Sequence, residues 1–91
     1  MVGKLVNYVI YDIERDKTRN KIVTACKDYG LTRIQYSVFV GELNTNKRQE
    51  LFMRLRKILG KEKGKILVLP VCDKDIKLAK EIYQDPELGL C

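Results

Sequence analysis

An α/β chain of order β-α-β-α-β, with a middle strand long enough to fold into two, is what the apolar patterning predicts. Three observations carry that reading. An apolar run over residues 4–12 stops at a carboxylate; two amphipathic stripes at helical spacing are each closed by a glycine; and the stretch between them, 31–43, is dense in β-branched and aromatic residues.

In residues 4–12 apolar side chains fall on both sides of an extended chain, Val6, Tyr8 and Ile10 against Leu5, Val9 and Tyr11. Both faces are therefore expected to be covered and the strand to be central. The strand delivers Asp12 to the edge of the core. Ligands gather at the carboxyl ends of strands in α/β sheets, and a carboxylate there either holds a divalent cation or caps the next turn.

Residues 13–16 are turn-like, and Asp16 is placed to cap the helix that follows. Ile22, Val23, Cys26 and Tyr29, with Ala25 between them, recur at three- and four-residue spacing, and Gly30 closes the helix. Positive charge is concentrated in the first turns, as Arg15, Lys17, Arg19 and Lys21. Helix amides and cations together favour a phosphate there; the same cations also suit a plain solvated face.

The run 31–43 alternates Ile34, Tyr36, Val38 and Val40 with Arg33, Gln35, Ser37 and Phe39, and on pattern alone it is one long strand. Asn46 and Gln49 resemble a capping box ahead of a second stripe, Leu51, Phe52, Leu55, Ile58 and Leu59, which ends at Gly60. A polar connection over 61–65 leads to a short strand over 66–71, where Pro70 points to a sheet edge or a strand end. Residues 73–83 suit a helix by propensity or a turn followed by a strand, and 84–91 form a tail.

Ninety-one residues make one domain, with no repeat and no linker to divide it. A chain of this size buries roughly 60–65% of its unfolded surface, so its core is thin and pairing with a second copy would help it. No apolar run approaches the ~20 residues of a membrane span, and no secretory signal is visible. The three cysteines, Cys26, Cys72 and Cys91, are widely spaced and accompanied by no histidine, which argues against a disulfide framework or a zinc site and for a cytoplasmic protein. Without histidine, hydrolytic chemistry would rest on carboxylates, a metal-bound water or tyrosine. A formal net charge of +6 and a pI near 9.3 suit a polyanionic partner.

Most of the chain resembles the second of the core CRISPR-associated protein families, small nuclease-like partners of the CRISPR integrase. The resemblance rests on Tyr11-Asp12-Ile13 closing the first strand, Arg19-Asn20-Lys21 in the helix, and Leu67-Val68-Leu69-Pro70-Val71. Above all it rests on the run from Tyr29 to Leu43, with Gln35-Tyr36-Ser37-Val38-Phe39-Val40-Gly41-Glu42 at its centre. It implies an α+β, ferredoxin-like β-α-β-β-α-β sandwich, so the long middle run must reverse around residues 35–37, where no glycine or proline announces a turn. It further implies a homodimer formed by sheet faces. The core would cover about residues 1–72, and the tail, about 73–91, would add an exchanged strand to the partner's sheet.

The same resemblance makes Asp12 the metal ligand, facing its twin across the dimer cleft. Two carboxylates leave most of an octahedral Mg2+ shell, or that of a substituting Mn2+, to water and phosphate. Arg19 and Arg33 match positions tied to activity in the family and Phe39 an aromatic one, which suits a core or interface place as well as base stacking; Tyr11, adjacent to the ligand, is placed to position it, and the four join Asp12 as catalytic candidates. Lys21 stands where arginine is common and keeps the charge without the bidentate geometry. Arg15, Lys17, Arg19 and Lys21 become a phosphate track. The implied activity is a metal-dependent endonuclease acting on single-stranded RNA, duplex DNA or both during spacer acquisition with the integrase. The competing reading is a dimeric adaptor that bridges integrase dimers and binds duplex DNA without catalysis. A toxin-like RNA-cutting protein is a third class.

Overall fold

The structure, a computed structural model, describes residues 4–84. Strand β1 (Leu5–Ile13) runs through the middle of a four-stranded sheet, and it is followed by helix α1 (Asp16–Asp28). Strands β2 (Thr32–Gln35) and β3 (Val38–Leu43) form a hairpin, helix α2 (Thr45–Leu59) crosses back, and β4 (Gly64–Val71) and a short α3 (Asp73–Leu78) complete the order. The sheet order is β2-β3-β1-β4 with every neighbouring pair antiparallel, which is the expected α+β, ferredoxin-like arrangement. Pro70 sits on the edge strand β4, where a missing N–H costs the ladder nothing on the outer side.

Alternation along β1 separates two faces. Asn7, Val9, Tyr11 and Ile13 turn inward beneath the helices, where Ile22, Ala25 and Cys26 of α1 and Leu51 and Leu55 of α2 close over them with Phe39 and Leu43. Burying each of the Val, Ile, Leu and Phe side chains among them is worth about 1.5–3 kcal/mol. Val6, Tyr8, Ile10 and Asp12 point the other way. The expectation that both faces of β1 are covered fails for the single chain: both helices lie on one face, and Ile10, Leu67 and Leu69 stay exposed on the other. Cys26 is fully buried, and burial pushes its thiol up to about 11, against a smaller opposing pull from Arg54.

The reversal falls where expected, at Tyr36 and Ser37 between β2 and β3. Its mechanism is unusual for a two-residue hairpin. The primed turns that match strand twist need positive φ, yet among the described residues no residue other than glycine has it. A register shift between Arg33 and Gln35 absorbs the mismatch instead. At Gly41 the connection from α1 passes so close over β3 that a Cβ would lie 2.5 Å from Leu31 Cδ2.

Helix ends differ from the sequence reading in two places. Arg15, not Asp16, occupies the cap of α1, and the Asp16 carboxylate inside the first turn pairs with Arg19. Asn44, not Asn46, caps α2, its side chain accepting from Lys47 N–H at 2.7 Å. Gly30 and Gly60 close their helices as expected, both with positive φ. Beyond Val71, residues 73–78 are helical, so the strand expected of the tail does not start there; residues 85–91 of that tail lie outside the described residues. Asn44→Ala is expected to cost about 1 kcal/mol, and Asn46→Ala, an exposed change inside the first turn, less than about 0.5 kcal/mol. Urea denaturation of the two variants distinguishes the caps.

Candidate functional site

Asp12 projects from the bare face at the end of β1, exposed to solvent. It lines a cavity of about 470 Å³ together with Ile10, Arg19, Tyr36, Ser37 and Lys65. Sheet register puts Lys65 of β4 directly opposite Asp12, and both also border a smaller cavity of about 230 Å³ with Glu14 and Lys63. Among the described residues the Asp12 carboxylate forms neither an ion pair nor a side-chain hydrogen bond. An exposed, uncommitted carboxylate is a hard oxygen donor of the kind Mg2+ takes. Glu14 borders the smaller cavity with Asp12, but no group of three His, Cys, Asp or Glu assembles among the described residues. Asp12 thus fits such an ion as a partial ligand set that a second copy would complete.

The neighbouring site residues serve the backbone. Tyr11, only 2% exposed on the helix side of β1, donates its hydroxyl to the Tyr36 carbonyl at 3.0 Å, while its own N–H donates to Ser37 O. Arg33 donates to the same Tyr36 carbonyl from Nε at 3.2 Å and Nη2 at 2.7 Å. Its guanidinium lies 5.3 Å from the Tyr36 ring centre and 5.7 Å from that of Phe39. Phe39 is fully buried and stacks on Tyr11 with centroids 6.3 Å apart. The resemblance makes Phe39 a candidate at the reaction centre; the structure puts it beneath the hairpin, where it supports Tyr11 and Arg33 and lines neither cavity beside Asp12. Burial raises the Tyr11 phenol above its ordinary 10, with Arg33 pulling the other way, so the donor proton is kept at neutral pH.

Arg19 holds the exit of β1. Its Nη1 donates to Ile13 O at 2.9 Å and more weakly to Glu14 O at 3.4 Å, Nη2 pairs with Asp16, and the guanidinium lies 5.6 Å from the Tyr36 ring centre. Those carbonyls immediately follow Asp12, so Arg19 fixes the direction in which the carboxylate leaves the strand.

The expected phosphate track of Arg15, Lys17, Arg19 and Lys21 is not continuous. Residues two apart on a helix are about 200° apart around its axis, whereas residues four apart share a face. Arg15 pairs with Glu62, which also accepts from the Thr18 hydroxyl at 2.6 Å, and Arg19 turns to the Asp12 cavity. Lys17 and Lys21 instead line a groove of about 450 Å³ between α1 and α2, with Asn20, Thr24, Arg54 and Ile58. Lys65 and Ser37 do not stand out in the sequence, and Tyr36, 68% exposed at the hairpin tip, reads there as a packing residue. Their signal is the strand pairing itself, which has no sequence motif.

A model of the CRISPR associated protein Cas2 family matches residues 5–78. The chain belongs to the Cas2 family. A Desulforudis audaxviator protein named CRISPR-associated endoribonuclease Cas2 is 58% identical over 74 residues, covering 81% of this chain and 70% of that one. A Thermoproteus tenax protein named as a fusion of the Cas1 and Cas2 endonucleases is 34% identical over 89 residues, 96% of this chain and 34% of its own length. Among solved structures, a hypothetical protein of Thermus thermophilus superposes with a TM-score of 0.71 at 34% identity, covering 77% of this chain and 84% of that one. In this Cas2 family member, then, Asp12 is an exposed, uncommitted carboxylate, while Tyr11, Arg33 and Phe39 build the hairpin beside it.

Tyr11→Phe tests that division. Losing the hydroxyl that reaches Tyr36 O is expected to cost about 1 kcal/mol at neutral pH, read from urea denaturation. A phenol whose folded pKa is raised contributes its stability in full below its unfolded value near 10 and loses it as pH rises through the folded value. The gap between wild type and variant is therefore expected to narrow above pH 10.

Proposed function

We propose that the chain acts as a two-fold dimer that hydrolyses phosphodiester bonds in nucleic acid, single-stranded RNA first, as part of the CRISPR spacer-acquisition machinery. The observation that carries this reading is the uncommitted carboxylate of Asp12 at the rim of an apolar sheet face that no helix covers among the described residues. Exposed apolar faces of this kind mark interaction sites. Val6, Tyr8, Ile10, Leu67 and Leu69 supply the drive for pairing. The relatives' name, endoribonuclease, supports RNA as the substrate.

In such a dimer the chain's own residues have separate tasks. Asp12 and its twin hold the site's negative charge at the rim, where water and substrate have access. Mg2+ bound between them would supply an activated water and charge neutralisation on the phosphoryl oxygens. Arg19 fixes the backbone just after Asp12, and the Tyr11–Arg33–Phe39 cluster keeps the hairpin wall of the cavity from moving. Asp12→Ala is expected to abolish Mg2+-dependent cleavage of single-stranded RNA while gel filtration still shows the dimer. Cleavage that persists in rigorously purified Asp12→Ala protein refutes the mechanism.

The adaptor reading is supported by the groove between α1 and α2, on the layer away from Asp12, and by the joining of Cas1 and Cas2 in the Thermoproteus tenax protein. In this role the helices face duplex DNA and the integrase partner supplies the chemistry. Replacing both Lys17 and Lys21 by Ala is expected to weaken duplex binding and to lower the slope of log K against log salt by about 1.8 for each chain engaged, as two phosphate contacts are lost. Fluorescence anisotropy across a salt series measures both.

A further inference from the structure

Cations matter beside a phosphodiester, and the two arginines expected at the site are already spent. Arg19 is committed to Ile13 O, Glu14 O and Asp16, and Arg33 to Tyr36 O. Lys65 is different. It is exposed, lines both cavities that Asp12 lines, and among the described residues it forms no hydrogen bond and no ion pair within 4.0 Å, even though Asp12 is its direct cross-strand neighbour. Facing residues of an antiparallel pair have Cβ atoms about 4.5–5.5 Å apart on the same side of the sheet. A lysine ammonium on its four-carbon stem can therefore reach a group held beside the Asp12 carboxylate without any movement of the backbone.

We infer that Lys65 is a substrate-contacting residue of the Asp12 site, its ammonium binding a non-bridging oxygen of the RNA phosphate held next to that carboxylate. The inference rests on the nuclease reading and assigns its phosphate contact to β4 instead of the arginines on α1 and β2. The task of this ammonium is to offset charge that grows on the phosphoryl oxygens. Lysine suits this place because a point charge on a flexible stem follows a phosphate as it moves, whereas the neighbouring guanidiniums are held by carbonyls.

The test uses the full chain with Lys65→Ala, Lys65→Arg and Asp12→Ala. Binding of a fluorescent single-stranded RNA is measured in EDTA across a salt series, so that no metal or turnover enters the readout. Lys65→Ala is expected to lower the slope of log K against log salt by about 0.7 for each lysine that touches the strand, and Lys65→Arg to keep it. With Mg2+ present, kcat of Lys65→Ala is expected to fall about 10–100-fold, with Lys65→Arg restoring most of it. An unchanged slope and an unchanged kcat in Lys65→Ala overturn the inference. Cleavage that survives Asp12→Ala overturns the nuclease reading instead, and the metal-free binding still decides whether Lys65 touches phosphate.

Discussion

The Tyr36 carbonyl oxygen accepts from the Tyr11 hydroxyl at 3.0 Å and from Arg33 Nη2 at 2.7 Å, and the geometry around Asp12 follows from those bonds. A tight hairpin without glycine lacks the backbone conformation that would join two twisted strands unaided. Donors from β1 and β2 supply what the turn residues do not. Because one donor belongs to β1, the hairpin tip is tied to the strand that carries Asp12, one residue away on the opposite face. Phe39 lies beneath both donors, stacked on the Tyr11 ring and 5.7 Å from the Arg33 guanidinium, and so holds the two side chains in place.

The basic residues divide by what already holds them. Arg19 is only 18% exposed and bonded to backbone on the far side of Asp12, so its guanidinium is a structural brace. Arg15 has Glu62, and Arg54 has Asp28 at 2.9 Å. Exposed pairs of this kind contribute little to stability, about 0–1 kcal/mol, but they do occupy the cation. Among the described residues that line the two candidate sites, Lys63 and Lys65 beside Asp12 and Lys17 and Lys21 between the helices have no ion-pair partner and are left to meet a polyanion. A count of charges in the sequence cannot make this division, since it depends on which carbonyls and carboxylates the fold brings within reach.

Much of the fold was legible because periodicity and glycine punctuation act locally. The two helical stripes and Gly30 and Gly60 place α1 and α2 correctly, and Pro70 marks β4 as an edge. The caps were less legible: Asp16 and Asn46 have the right chemistry, but Arg15 and Asn44 sit at the right turn of backbone, and neighbouring polar residues offer no local means of choosing. The hairpin escapes propensity altogether, because its determinant is a contact between Tyr11 and Tyr36, 25 residues apart. Asp12 was legible as an apolar run ending in a carboxylate. Lys65 was not, since only the β1–β4 register makes it a neighbour.

The bare face of the sheet explains why the acidic group belongs at its rim. A carboxylate in the middle of Val6, Tyr8, Ile10, Leu67 and Leu69 would have to be stripped of water when that face is covered, at a cost of several kcal/mol without a partner. At the end of β1 it keeps its water while the apolar residues behind it are buried. Twin carboxylates brought together across a two-fold axis would still repel one another and oppose the pairing that apposes them. Lys65, on the adjacent strand and facing the same cavity, contributes one positive charge for each negative one. The cleft of the proposed dimer is thereby close to neutral before any metal or phosphate arrives, so assembly does not have to wait for either.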